Sequence, residues 1–158
     1  MLISVLLVAA AFAQHVETPF KPIEFLIGEW VGEGDGTPSE STGSFSFVFD
    51  LDKKIVVRKN HADLKIGVHD DLMIAYPDPA SKGLRAMYFD NEGHVISYSV
   101  EVISDGVRFV SDAAAPGARF RLTYKRSGGN AISILFEIAP PGKPDMFAPY
   151  IEARARKK

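Results

Sequence analysis

Hydrophobic and polar residues alternate along most of this chain, which is the pattern of β-strands that bury one face. Ten such runs follow one another, separated by segments rich in Gly, Pro, Asp or Asn. The predicted strands are Glu29–Gly36, Gly43–Asp50, Ile55–Ala62, Asp71–Tyr76, Leu84–Phe89, Val95–Ile103, Val107–Val110, Arg119–Tyr124, Ala131–Ile138 and Tyr150–Arg156. Closing the sheet removes its unpaired edges, so we predict an all-β, ten-stranded antiparallel up-and-down barrel.

The alternation also predicts which side chains face the barrel interior, because every second residue of a strand points to the same side. On the sixth strand the inward set comprises His94, Ile96, Tyr98, Val100 and Val102. The equivalent sets on the second, eighth and ninth strands are Phe45, Phe47 and Phe49; Phe120, Leu122 and Tyr124; and Ile132, Ile134, Phe136 and Ile138.

The N-terminal segment MLISVLLVAAAFA is uncharged and ends in Ala11-Phe12-Ala13, the pattern of a signal-peptide cleavage site. It is shorter than the roughly 20 apolar residues of a transmembrane helix. We therefore predict a signal peptide over residues 1–13 and an exported mature chain, periplasmic or extracellular, without stable membrane insertion. A buried N-terminal strand or an uncleaved anchor is the alternative.

The mature chain is predicted to have two parts, a tail with a short helix over residues 14–27 and the barrel domain over residues 28–158. The helix is predicted for PIEFLI, where Pro22 suits the first helical position and Gly28 its end. The 158 residues are 46% hydrophobic and 24% charged, as in an ordinary globular domain. A net charge of −2 creates no field that favours nucleic acid, so a neutral or weakly polar small molecule is the expected partner.

The first strand contains the chain's only tryptophan, followed by glycine at every second position. If Trp30 points inward, then Gly32, Gly34 and Gly36 lie on the same face. Glycine weakens a strand, so three in register indicate either sharp curvature of the sheet or space for a ligand.

Gly28-Glu29-Trp30, after a short helical turn, resembles the Gly-x-Trp signature of lipocalins and the wider calycin superfamily. The longer stretch GEWVGEGDG resembles the start of nitrobindin-type haem-binding barrels and of related bacterial lipocalin-like domains of unknown function. The resemblance implies a ten-stranded barrel with a hydrophobic cavity. It also implies that a basic residue of the last strand, Arg154 or Arg156, packs over Trp30.

Haem is the cofactor that the resemblance implies, but nitrobindin-like barrels ligate its iron through a histidine near the C-terminus. This chain has no histidine after His94, which leaves Tyr150 as the substitute. We therefore predict no bound cofactor and no stable histidine–haem complex.

Arg58 and Asn60 are the most informative polar residues, because VVRKN places them on one face with Val56. We expect this face to point inward, since the opposite phase would bury Lys59. A buried guanidinium needs a partner, which a ligand carboxylate or carbonyl could supply. The predicted ligand-binding residues are Trp30, Gly32, Gly34, Arg58, Asn60, Tyr76, Tyr88, Tyr98 and Tyr124.

The sequence contains no cysteine, no G-x-S-x-G elbow and no H-E-x-x-H pair, so we predict neither catalytic residues nor a metal site. His61, His69, Asp70 and Asp71 flank LKIGV and are interpreted as exposed loop residues.

Three classes of function agree with these features. The leading hypothesis is an exported lipocalin-like protein that binds a small hydrophobic or amphipathic molecule in its barrel. A barrel enzyme, such as an isomerase or a haem-dependent redox protein, is the second. An envelope interaction module with a filled core is the third.

Overall fold

A computed structural model describes residues 18–33, 42–64, 67–113 and 117–158. One 3-10 helix, Lys21–Leu26, precedes ten strands. The strands are β1 (Gly28–Gly32), β2 (Thr42–Asp50), β3 (Ile55–Leu64), β4 (Gly67–Pro77), β5 (Leu84–Asp90), β6 (Val95–Ile103), β7 (Gly106–Ser111), β8 (Arg119–Arg126), β9 (Ala131–Ala139) and β10 (Ala148–Lys157).

The strands form one closed antiparallel barrel in up-and-down order, as the alternation predicts. Each strand pairs with its neighbours along the chain, and β1 pairs with β10 to close the sheet. Closure gives the first and last strands a partner, so neither presents a free edge. This topology is consistent with a calycin-like fold.

Aromatic side chains from facing strands fill the interior near one end of the barrel. Tyr124 and Phe47 pack edge to face with 5.7 Å between ring centroids, and Tyr124 meets Phe109 in the same way at 6.1 Å. All three are fully buried, and burial of each such side chain stabilises the fold by about 1.5 to 3 kcal/mol. This aromatic cluster packs strands on facing sides of the barrel against one another.

The 3-10 helix lies across the same end of the barrel. Pro22 stands in its first turn, and Phe20, Ile23 and Leu26 are fully buried. Phe20 packs edge to face on Phe49 with centroids 5.7 Å apart. The predicted short helix is therefore present, as a 3-10 helix, and it closes this end because its apolar residues occupy the mouth of the barrel.

Most of the predicted inward faces point to the core, but the rims of the barrel differ. Phe45, Phe47 and Tyr98 are buried as expected. His94 and Val102 were expected inside, and both are exposed, Val102 by 68%. Alternation predicts burial only where the opposite wall covers the strand, and these residues lie just before the start of β6 and near its end.

Gly106 is required where β7 approaches β8 closely. A Cβ atom added there would lie 1.9 Å from the carbonyl oxygen of Tyr124, which is far inside van der Waals contact. The absence of a side chain at Gly106 therefore allows the two strands to pair beside the aromatic cluster.

Two of the sequence-based predictions fall outside the described residues. The predicted signal peptide, residues 1–13, is one, and the glycines Gly34 and Gly36 are the other. Among the described residues, no helix has the length and apolar character needed to span a membrane.

Candidate functional site

A cavity opens into the barrel at the end opposite the 3-10 helix. It is part of a pocket of about 870 Å³ that also extends over outward-facing residues of the wall, among them Thr123, Lys125 and Arg154. Its lining comes from the end of β1 and the matching ends of the strands around the barrel, so the cavity and the aromatic cluster divide the interior between them. Apolar side chains form much of the wall: Phe45, Ile96, Phe120, Leu122, Ile134, Phe136 and Ile138. Polar and charged residues, among them His94 and Glu92, line its outer part.

The deepest polar feature of the cavity is an ion pair between Arg58 on β3 and Asp71 on β4. Arg58 Nη1 donates a hydrogen bond to Asp71 Oδ1, and both side chains are more than nine-tenths buried. Asn60 Nδ2 donates to Asp71 Oδ2 at 2.9 Å. The inward phase of β3 thus brings Arg58 and Asn60 to one carboxylate on the next strand, which supplies the partner that a buried guanidinium needs.

The guanidinium remains charged in this setting. Burial lowers the pKa of Arg58, but the neighbouring Tyr124 and Asp71 outweigh burial, and the net direction is upward. The Arg58 guanidinium also lies 5.7 Å from the ring centroid of Phe45. Arg58 and Asp71 therefore form an ion pair with no net charge at the bottom of the cavity.

Three tyrosines near this pair are held in their neutral form. Burial raises the pKa of Tyr88 and Tyr98 well above the usual range. Burial also raises the pKa of Tyr124 to about 12, with the charge of Arg58 acting in the opposite direction. The Tyr88 and Tyr98 side chains line the cavity, whereas Tyr124 lies within the aromatic cluster beneath it.

A chain of hydrogen bonds runs from this cluster toward the rim. His69 Nε2 lies 3.0 Å from the Tyr88 hydroxyl, which donates to Asp90 Oδ2 at 3.2 Å. His94 Nδ1 lies 2.8 Å from the same Asp90 oxygen. Burial alone would raise the pKa of Asp90, but hydrogen bonds from the backbone and ring of His94 outweigh it and lower that pKa. Asp90 is therefore an anion held by donors.

Five of the predicted ligand-binding residues come together at the cavity, three do not, and one lies outside the described residues. Gly32, Arg58, Asn60, Tyr88 and Tyr98 line it. Trp30 lies at the closed end, where its Nε1 donates to the carbonyl oxygen of Leu26 at 2.7 Å. Tyr76 is on the outer face, because the inward positions of β4 are Asp71, Met73 and Ala75. Tyr124 belongs to the aromatic cluster, and Gly34 lies outside the described residues.

The basic residue over Trp30 is Lys157, which corrects the expectation of Arg154 or Arg156. Lys157 Nζ lies 5.5 Å from the indole ring, and the two residues are register partners. Arg154 and Arg156 face outward and approach Glu33 at 3.9 and 3.6 Å, because they alternate with the inward Ala155.

The backbone conformation and close contacts of Gly28 explain why a glycine stands two residues before Trp30. Gly28 adopts a φ of 129°, and a Cβ atom added there would lie 2.5 Å from Lys157 Cε. The lysine stem therefore crosses the position that a side chain would occupy. The Gly28-Glu29-Trp30 motif thus packs the C-terminal strand against the closed end of the barrel.

His61, His69, Asp70 and Asp71 were expected in a loop, but they lie on the paired strands β3 and β4. His61 and Asp70 face outward, where His61 Nδ1 and Asp70 Oδ1 are 2.7 Å apart, and this hydrogen bond raises the pKa of His61. His69 and Asp71 face the cavity. Within the described residues, no three His, Asp or Glu side chains are grouped so as to hold a metal ion.

His69, Asp71 and Asp90 are the site residues that sequence reasoning missed. The alternation of β4 could have identified two of them, since His69 and Asp71 lie on the same face as the apolar Met73 and Ala75. Two adjacent aspartates after a histidine instead resembled turn sequence, and β4 was predicted to begin at Asp71 rather than at Gly67.

Comparison with known proteins gives no family assignment. No protein-family model matches the chain, and no curated protein matches it significantly. The likeness to calycins therefore rests on the closed ten-stranded topology and on the Gly28-Glu29-Trp30 motif at the head of β1.

Two residues around the cavity that could serve as an axial haem ligand are poorly placed for that role. Both ring nitrogens of His69 already face partners, Nε2 the Tyr88 hydroxyl at 3.0 Å and Nδ1 a Glu92 oxygen at 3.4 Å. Tyr150, the substitute that the sequence offered, is 65% exposed. His94 also lines the cavity, with its Nδ1 2.8 Å from Asp90 Oδ2, and the absence of a cofactor stays a prediction.

Proposed function

We propose that this is an exported, lipocalin-like protein that binds a small hydrophobic or amphipathic molecule inside its barrel. The observation that carries the proposal is the cavity inside the barrel, with apolar walls and the Arg58–Asp71 pair at its base. Concave, largely apolar sites with a few converging polar groups are the usual form of small-molecule sites.

The composition of the wall supports an amphipathic occupant. Side chains such as Phe120, Leu122 and Ile134 would cover a hydrocarbon or ring system, and removal of that surface from water contributes about 25 cal/mol per Å². The polar groups at the base would orient one end of the molecule. An interaction module with a filled core would instead place side chains where the cavity lies.

The test is the binding of an uncharged solvatochromic dye, such as Nile red, to a protein whose cavity has been filled. Ile96 faces the cavity, and its neighbour Val95 is 63% exposed on the outer face. We expect Ile96→Trp to weaken dye binding by about tenfold or more, because the indole occupies ligand volume. Val95→Trp, the matched control, should bind as the unmodified protein does.

Denaturant unfolding of both variants must accompany the titration, so that a loss of fold is distinguished from a loss of binding. Equal dye affinity in the unmodified protein and a folded Ile96→Trp variant would locate the dye elsewhere and contradict the proposal.

A further inference from the structure

The hydrogen-bond acceptors at the base of the cavity are already occupied. Asp71 accepts from Arg58 at one oxygen and from Asn60, at 2.9 Å, at the other. Asp90 Oδ1 accepts the backbone N–H groups of Glu92 and His94 at 3.0 and 2.9 Å, and its other oxygen faces Tyr88 and His94. A ligand that approaches as a donor would have to displace a protein group.

Donors, in contrast, remain available. Among the described residues, the buried Arg58 Nε and the neighbouring Tyr124 hydroxyl have no hydrogen-bond partner, and Arg58 forms part of the cavity wall. The neutral Tyr98 side chain lines the same wall. Buried donors without partners are costly, so an acceptor atom on the ligand would be stabilised at this place.

The charge balance decides whether that acceptor is ionic. The positive charge of Arg58 is already matched by Asp71, and Asp90 adds a further negative charge nearby. A carboxylate ligand would bring another negative charge to the base of the cavity, where Arg58, the buried cation among the described residues, is already paired with Asp71. An ammonium would be desolvated against acceptors that are already engaged.

From this arrangement we propose that the cavity selects an uncharged hydrophobic molecule that carries a carbonyl group, such as a ketone, ester or amide, over a fatty acid or an amine. The inference rests on the proposed function, since it specifies the ligand of the same site. It also revises the expectation that Arg58 awaits an acidic ligand, because Asp71 takes that role.

The first test compares three probes of equal chain length in displacement of Nile red at neutral pH: methyl octyl ketone, decanoate and decylamine. We expect the ketone to bind at least about tenfold more tightly than either charged probe, because burial of an unpaired charge exceeds the gain from one hydrogen bond. This comparison uses the unmodified protein and does not depend on a variant that folds.

The second test changes the counter-ion. Asp71→Asn keeps the size of the side chain and leaves the charge of Arg58 unmatched, so decanoate should gain about tenfold in affinity while the ketone changes little. Asp70→Asn is the matched control, since Asp70 is the adjacent residue, faces outward and pairs with His61. We expect it to leave all three affinities unchanged.

Decanoate that binds as tightly as the ketone to the unmodified protein would overturn the selectivity while leaving a binding function in place. A folded Asp71→Asn variant that binds decanoate no more tightly than the unmodified protein does would also overturn the selectivity. Failure of Nile red and all three probes to bind would overturn the proposed function together with the selectivity.

Discussion

Arg58 shows how one buried charge can define the chemistry of a cavity. Its guanidinium is held between the Asp71 carboxylate and the aromatic ring of Phe45, and it stays protonated. A buried ion pair is rarely a net source of stability, because desolvation of two charges offsets most of their attraction. Under the proposed function, the pair serves to recognise the ligand rather than to stabilise the fold.

Replacement of Arg58 alone should be strongly destabilising for the same reason. Arg58→Met leaves Asp71 buried without its cation, so we expect the free energy of unfolding to fall by about 3 to 5 kcal/mol in urea titrations. In the double variant Arg58→Met/Asp71→Leu both charges are gone, and most of that loss should be recovered. A single variant within about 1 kcal/mol of the unmodified protein would show that the pair is hydrated in solution.

At the scale of the strand, register decides which residues reach the interior. The ten strands were predictable because their alternation is local and the turns between them are rich in Gly, Pro, Asp and Asn. The inward phase of β3 was predictable because the opposite phase would bury Lys59. The identity of the basic residue over Trp30 was not predictable. Arg156 and Lys157 are one position apart, and only the pairing of β10 with β1 shows which of them faces inward.

The rest of the site depends on contacts between strands that a single sequence does not display. Asp71 meets Arg58 because β3 pairs with β4, which begins at Gly67. The run of His and Asp residues near that start resembles turn sequence, so the sequence did not predict it. The cavity depends on how far the aromatic cluster fills the barrel, which is set by the packing of side chains from several strands together.

The close pairing of β7 and β8 gives a prediction at this scale. Gly106→Ala should reduce the free energy of unfolding by about 1 to 3 kcal/mol, because the new methyl group would overlap the backbone of Tyr124 and force the strands apart. Gly83→Ala is the matched control, since its added Cβ would lie 3.5 Å from Ser81 Oγ, an ordinary contact. Equal thermal midpoints for the two variants would contradict the close approach at Gly106.

At the scale of the whole molecule, the barrel divides into a packed half and a half with a cavity. The 3-10 helix, Trp30 and the aromatic cluster fill one end, and the cavity lies at the other. The Arg58–Asp71 pair lies where the two halves meet. A ligand would therefore enter from the rim near His94 and place its polar end on a rigid base.

Native mass spectrometry of the intact protein, purified from its own host, tests the proposed function most directly. We predict a mass that matches a chain beginning at Gln14 plus one small organic molecule, and loss of the added mass in Ile96→Trp but not in Val95→Trp. Extraction of the bound molecule should yield an uncharged, carbonyl-bearing compound. A folded protein that carries no added mass from its own host, and that takes up none of the neutral probes, would contradict the account.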